Sequence, residues 1–333
     1  MEKKDIFNNS LSREVFESTY KFGEEEIDDL FKRVSKELAS TEKDKEKWEK
    51  EFYKTLTEFK FVPGGRITSN AGTGLKSTTY LNCFVSGFQG ESQDSMSSIL
   101  DELKRQAFIL GSEGGYGFCA DVIRPRGAFI EGIGNETPGT VVMLEIWDTQ
   151  SKVITEGSGR QSTKKNSKKK IRKGAQMVTL SCHHPSIEEF ITAKQTPGRL
   201  TKFNMSVLVT DEFIDAIKNN KPWDLIFPDF DADKKFYDKH WDGNIKKYQQ
   251  LGGKIKVYKT FKNANELWDL IMQSTYNRNE PGVLFVDTIN RLNNLKYVEY
   301  INATNPCGEM PLPIGASCLL GAINLTQFLD IEK

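Results

Sequence analysis

From Phe61 onward, short apolar runs alternate with amphipathic segments, and this alternation constrains the fold more than any other feature. Residues 177–182 read as a strand and 187–194 as a helix. Phe203–Val209 reads as a strand, followed by a helix that Thr210 and Asp211 can cap. Residues 225–227 are strand-like, 263–276 helical, and 282–287 a strand. Such alternation predicts an α/β fold with a largely parallel sheet. Residues 1–60 are different: charged and helical throughout. A helix over 25–38 carries Ile27, Leu30, Phe31, Val34 and Leu38 on one stripe. A second, over 43–59, carries Trp48, Phe52, Leu56 and Phe59. These residues read as a helical region that packs against the sheet-forming part, 61–333.

Charge and cysteine usage narrow the function classes. The 46 Lys+Arg balance 46 Asp+Glu, so no global field favours nucleic acid or an anionic membrane as main partner. No apolar run approaches the ~18 residues of a membrane span, and the first residues lack a secretory apolar core. The five cysteines are Cys83, Cys119, Cys182, Cys307 and Cys318, with no C-x-x-C pair among them. That pattern argues against a disulfide scaffold and a structural zinc site, and for a reducing cytoplasm. In the tract 164–173, seven of ten residues are basic. It reads as a solvated, mobile loop. The sharper alternative is a loop contacting phosphate, since Arg172-Lys173-Gly174 leads into a strand. No aromatic residue interleaves with the lysines, which argues against nucleic acid.

Two glycine clusters, Pro63-Gly64-Gly65-Arg66 with Gly72-Thr73-Gly74 and Gly111-Ser112-Glu113-Gly114-Gly115-Tyr116-Gly117, match no phosphate-loop pattern. They read as tight turns, the second following a helix over 95–110, and as places where backbone can approach a ligand closely. The most informative segment is Asn305-Pro306-Cys307-Gly308-Glu309. If extended, it turns Asn305, Cys307 and Glu309 to one face. That face would join a hydrogen-bonding amide, a sulfur reactant and an acid/base. Hydrolytic cysteine catalysis would want a histidine, and His183, His184 and His240 carry no cysteine-protease signature.

Asn305-Pro306-Cys307-Gly308-Glu309, followed by Ser317-Cys318-Leu319-Leu320-Gly321-Ala322-Ile323-Asn324-Leu325, resembles the active-site region of the ribonucleotide reductase large chain. The resemblance runs back through Phe61-Val62-Pro63-Gly64-Gly65-Arg66, Leu81-Asn82-Cys83-Phe84-Val85 and Arg124-Pro125-Arg126-Gly127. It continues in Arg172-Lys173-Gly174-Ala175-Gln176-Met177, Asn204-Met205-Ser206-Val207 and Pro281-Gly282-Val283-Leu284-Phe285-Val286-Asp287. The resemblance implies a helical region followed by the first half of a ten-stranded α/β barrel, with a finger loop carrying the reactive cysteine.

It further implies that Cys307 becomes a thiyl radical that takes the ribose 3′-hydrogen. Glu309 would be the base on the 3′-hydroxyl, and Asn305 would orient the substrate. Cys83 and Cys318 would be the reducing pair, re-reduced by a thioredoxin-type or dithiol reductant. They must then lie with Cα atoms about 4.4–6.8 Å apart. Cys119 and Cys182 match no family role and read as structural. Asn82, Gly114 and Gly115 would help bind the ribonucleotide. A dNTP or ATP effector would bind at Asp94 and Ser95, which match the start of the family's effector site, and at Arg124 and Arg172, within loops over 124–134 and 159–174.

The motif and the spacing of Cys318, 11 positions after Cys307, look most like the adenosylcobalamin-dependent enzymes. The alternatives are a large subunit served by a metal-containing small subunit, or a nucleotide-binding fragment without catalysis. The roughly 60 residues before Phe61 predict no further activity-control domain. The chain would be the N-terminal part of a reductase whose second half-barrel is supplied by a complementary C-terminal polypeptide. It would act in the cytoplasm of a bacterium or a virus-infected host cell, as a possible homodimer.

Overall fold

The alternation folds into a six-stranded sheet. In chain order its strands are β1 (Cys83–Val85), β2 (Gly115–Cys119), β3 (Gln176–Ser181), β4 (Phe203–Val209), β5 (Gly282–Phe285) and β6 (Ser317–Cys318). Their order in space is β5-β4-β3-β2-β1-β6. Strands β1 to β5 are parallel, and β6 runs antiparallel beside β1. This is half of a curled barrel wall plus one reversed strand. The coordinates are a computed structural model that describes residues 7, 9–157 and 174–329. The 164–173 tract and Arg172 lie outside the described residues.

Side-chain alternation gives the sheet two unlike faces. Tyr116, Phe118, Val178, Leu180, Phe203, Met205 and Val207 point outward into the main apolar core under the helices. There Trp147 of a helix over Thr140–Gly157 stacks on Phe118 at 5.3 Å between ring centroids. The intervening residues Gly117, Cys119, Thr179, Asn204 and Ser206 are small or polar and line the concave side, with Met177 the one large apolar residue among them. Helix starts follow their capping residues. Ser95 caps Met96–Gly111, Thr210 caps Asp211–Lys218, and Asn263 with Glu266 forms a capping box on Ala264–Arg278.

Two expected strands come out differently. Residues 225–227 belong to Trp223–Pro228, which pairs with Ile255–Phe261 in a separate antiparallel ribbon and not in the main sheet. The strand expected over 282–287 stops at Phe285, because Val286 already opens the helix Val286–Leu292.

The N-terminal helices Ile27–Ala39 and Lys45–Thr57 bury Leu30, Phe31, Val34 and Leu56 in a second core with Phe16, Ile67 and Ala71. Trp48 and Phe59 of the predicted stripe stay exposed. A short strand, Phe61–Pro63, leaves this region and pairs antiparallel with Gly321–Ile323, just beyond Cys318. Among the described residues no helix is long and apolar enough to cross a membrane.

His184 couples this core to pH. It is buried, its Nε2 lies 3.1 Å from the Ile123 carbonyl, and its Nδ1 accepts from Ser186 N at 3.1 Å. That arrangement suits only the neutral ring, and burial pushes its pKa down from 6.5 to about 3. The unfolded chain therefore protonates first as pH falls. The stability His184 contributes is full above about 6.5 and is lost toward pH 3. Between pH 6.5 and 5 the loss is about 2 kcal/mol at ~1.4 kcal/mol per unit. Burial pushes Asp121 the other way, from 3.8 to about 6, so its contribution is present at low pH and lost as pH rises through 6. Urea unfolding of wild type and His184→Gln at both pH values separates the two. The variant's decline should be smaller by about 2 kcal/mol; an unchanged pH slope would rule the histidine out.

Candidate active site

The Cys307 segment is not extended. Ala303–Thr304 pairs antiparallel with Pro311–Leu312, and residues 305–310 form the tight loop of a hairpin. Gly308 donates its N–H to Asn305 O at 3.1 Å and holds φ at 82°, a left-handed conformation that favours glycine. Pro306 and Gly308 therefore turn the chain instead of spacing a strand. The one-face geometry expected for Asn305, Cys307 and Glu309 is replaced by a loop with distinct positions. Asn305 is fully buried at the base, whereas Cys307 and Glu309 are exposed at the tip.

The concave face of the sheet holds this hairpin. Thr179 Oγ1 donates to Asn302 O at 2.7 Å, and Asn204 Nδ2 donates to Pro306 O at 2.6 Å. The glycine cluster that reads as a turn runs into strand β2 instead. A Cβ on Gly115 would come within 2.8 Å of Pro306 Cγ, and one on Gly117 would overlap Thr304 O. Gly117 admits the hairpin's own backbone, and Gly115 admits the Pro306 ring beside the Cys83 sulfur. Gly114 faces the Phe84 ring. Thr179 is a site residue that lies in no quoted motif, and Asn204 and Gly117 lie in quoted segments that assign them no place in the site. The signal was present as polar or small residues at alternate positions of otherwise apolar strands.

Cys83 and Cys318 are directly opposite each other in the β1–β6 ladder, and both are buried free thiols. Opposed antiparallel residues have Cα atoms about 4.5–5.5 Å apart, inside the range a disulfide spans. Asn305 Nδ2 lies 3.6 Å from Cys83 Sγ, and its Oδ1 accepts from Met310 N at 3.0 Å. Asn305 thus joins the hairpin to the thiol pair. Asn82, next to Cys83, accepts Leu320 N on its side-chain oxygen at 3.0 Å.

Burial pushes the Cys83 thiol up to about 12, against the pull of the Asn305 amide. Burial and the neighbouring Glu309 charge also raise Cys307 above its ordinary 9.0. Both sulfurs are therefore S–H groups at neutral pH, the reverse of an activated thiolate. Burial likewise pushes Cys182 to about 12. The histidines are engaged elsewhere. His184 is bound in the core, His240 lies 4.4 Å from the Phe236 ring, and His183 lines a cleft at the opposite ends of the strands.

A second constellation lies on the helical side. Asp94 accepts from Arg124 Nε and from Tyr237 OH at 2.6 Å. Arg124 lies over Phe230 at 5.1 Å and borders a cleft of about 420 Å³ with Phe129, Glu131 and Lys234. Ser95 adjoins it but uses its hydroxyl to cap a helix, accepting from Ser98 N at 3.2 Å. Among the described residues no group of three potential metal ligands exists.

Residues 81–333 match the family model described as the ribonucleotide reductase barrel domain, and residues 6–76 match the ribonucleotide reductase all-alpha domain. The chain is 33% identical over 279 residues to a vitamin B12-dependent ribonucleoside-diphosphate reductase of Thermoplasma acidophilum, covering 84% of this chain and 31% of that protein. A protein of the same description from Mycobacterium tuberculosis is 33% identical over 284 residues, covering 85% and 35%. A ribonucleoside-diphosphate reductase large subunit of Variola virus is 26% identical over 287 residues, covering 84% and 35%. The chain spans about a third of the length of these relatives.

Proposed function

Since the chain belongs to the ribonucleotide reductase large-chain family, we propose that it supplies the thiol chemistry of ribonucleoside diphosphate reduction, with Cys307 as the hydrogen-abstracting residue. The observation that carries this reading is the hairpin. It presents one exposed S–H at its tip and, through Asn305, touches a second thiol that faces a third. Protonated thiols suit hydrogen-atom transfer and are poor nucleophiles. In the proposed reaction Cys307 takes the 3′-hydrogen and later returns one. Glu309 accepts the 3′-hydroxyl proton. The 2′-hydroxyl leaves as water, and Cys83 and Cys318 lose two electrons as their disulfide forms.

The radical source proposed is adenosylcobalamin, in line with the names of the vitamin B12-dependent relatives. When bound it would supply the one-electron oxidation of Cys307. The exposed thiol fits an approach from outside the hairpin, and no described residue is assigned to hold the corrin. The Asp94–Arg124 cleft is proposed for the dNTP or ATP effector, since it combines a guanidinium, a lysine and an aromatic wall. Exposed Met96, Leu100 and Phe108 on one helix and Ile146 and Val153 on the next support self-association of two copies.

A complementary polypeptide, equivalent to the remaining part of the relatives, is proposed to cover the open sheet. Beyond β6 the exposed Leu319, Ile323, Leu325 and Phe328 mark one edge, and Phe285 marks the other. Sheet edges of this kind invite pairing. The test is a reductase assay with CDP, dithiothreitol, adenosylcobalamin and a dNTP, using this chain alone and with such a polypeptide. Turnover is expected only with the polypeptide and the cobalamin together. A requirement for a metal-containing small subunit would reassign the radical source. Absence of turnover in a folded, verified complex would leave a nucleotide-binding fragment.

A further inference from the structure

We infer that Asn82 is a positioning residue for the thiol pair, a clamp that keeps Cys318 in register opposite Cys83; the inference rests on the reducing-pair role proposed above. Asn82 grips the chain on both sides of Leu319. Its backbone N–H donates to Cys318 O at 2.9 Å, and its side-chain Oδ1 accepts from Leu320 N at 3.0 Å. Its own carbonyl accepts from Gly115 N at 2.8 Å, which anchors the clamp to β2. Strand β6 has only two residues. Before Cys318 the chain is tied by Val85 N to Ala316 O and by Gly315 N to Val85 O, both at 2.9 Å. After Cys318, Asn82 makes the next tie before Gly321–Ile323 joins Phe61–Pro63.

A slip of one residue would turn the Cys318 side chain to the other face of the sheet. Gly64 closes the clamp from behind. A Cβ there would come within 2.6 Å of Leu320 O and 2.7 Å of Asn82 Oδ1. The Asn82 oxygen is thus committed to the chain, and the N-terminal region takes part in holding the thiols together.

The test is disulfide formation in the full chain, which needs neither cobalamin nor substrate. With glutathione disulfide as oxidant, Cys83 and Cys318 give up two electrons and two protons as their S–S bond forms. The glutathione S–S bond breaks to give two thiols. Equilibration in glutathione buffers, read by thiol alkylation and mass spectrometry, gives the equilibrium constant. Asn82→Ala should lower it about fivefold to tenfold, the usual effect of one lost hydrogen bond. It should also speed hydrogen exchange at the Leu320 amide. Asn82→Asp, which keeps an acceptor oxygen, should restore that protection. Gly64→Ala should shift the constant in the same direction without altering β1, and it decides the matter if Asn82→Ala does not fold. Constants within twofold of wild type would overturn the clamp. If wild type never forms this disulfide, the reducing-pair role falls, and the clamp with it.

Discussion

Gly117→Ala is expected to drive the Cys307 hairpin off the sheet. The added methyl would overlap the Thr304 carbonyl oxygen, with the backbone of Asn305 behind it. Neither neighbour is a flexible side-chain end that can swing away. Overpacking of this kind costs about 1–3 kcal/mol. The functional cost is larger, because displacing a reacting group by about 1 Å can lower turnover about a hundredfold. Turnover of the assembled enzyme and unfolding of the chain should both be measured. A suitable control is Gly111→Ala, where the new methyl has open space. Wild-type turnover in Gly117→Ala would mean that the hairpin's seat has no bearing on the chemistry.

Cys307→Ser should abolish turnover in the same assembled enzyme while leaving the fold intact. The side chain is exposed, so exchanging sulfur for oxygen should change stability by no more than about 0.5 kcal/mol. The chemistry is less forgiving. An O–H bond is much stronger than an S–H bond, so the serine cannot be oxidised to the matching radical. The Cys83–Cys318 disulfide should still form in Cys307→Ser under glutathione disulfide, since that two-electron step does not use Cys307. Turnover persisting in a variant free of wild-type contamination would remove Cys307 from the reaction.

The strands were legible where composition and period agreed. Phe203–Val209 is bounded as read, because its outward residues are uniformly apolar and Thr210 caps the helix after it. The ribbon strand Trp223–Pro228 carries the same apolar texture but lies outside the main sheet, since local pattern does not encode which partner a strand finds. The site was legible as a set of residue types and not as a shape. Alternation suggested an extended Asn305–Glu309 segment, but a left-handed Gly308 after Pro306 makes a loop. Gly115 and Gly117 read as turn formers because glycine usually punctuates. Their reason for being here is the hairpin that crosses above them, its Thr304 backbone over Gly117 and its Pro306 ring over Gly115, which only the tertiary structure reveals.

The strand order carries a consequence for biosynthesis. The last strand in sequence lies beside the first, so the sheet cannot be completed in the order the ribosome delivers it. Cys83 precedes its partner Cys318 by 235 positions (318 − 83). At synthesis rates of about 5–20 residues per second, that is a wait of roughly 10–50 s. Such distant pairing makes closure a late, slow folding event. Throughout that interval the nascent chain holds Cys83 without strand β6 on its open side. A thiol that is buried in the finished sheet therefore begins exposed, and its shielding from oxidants arrives only with the last strand of that sheet.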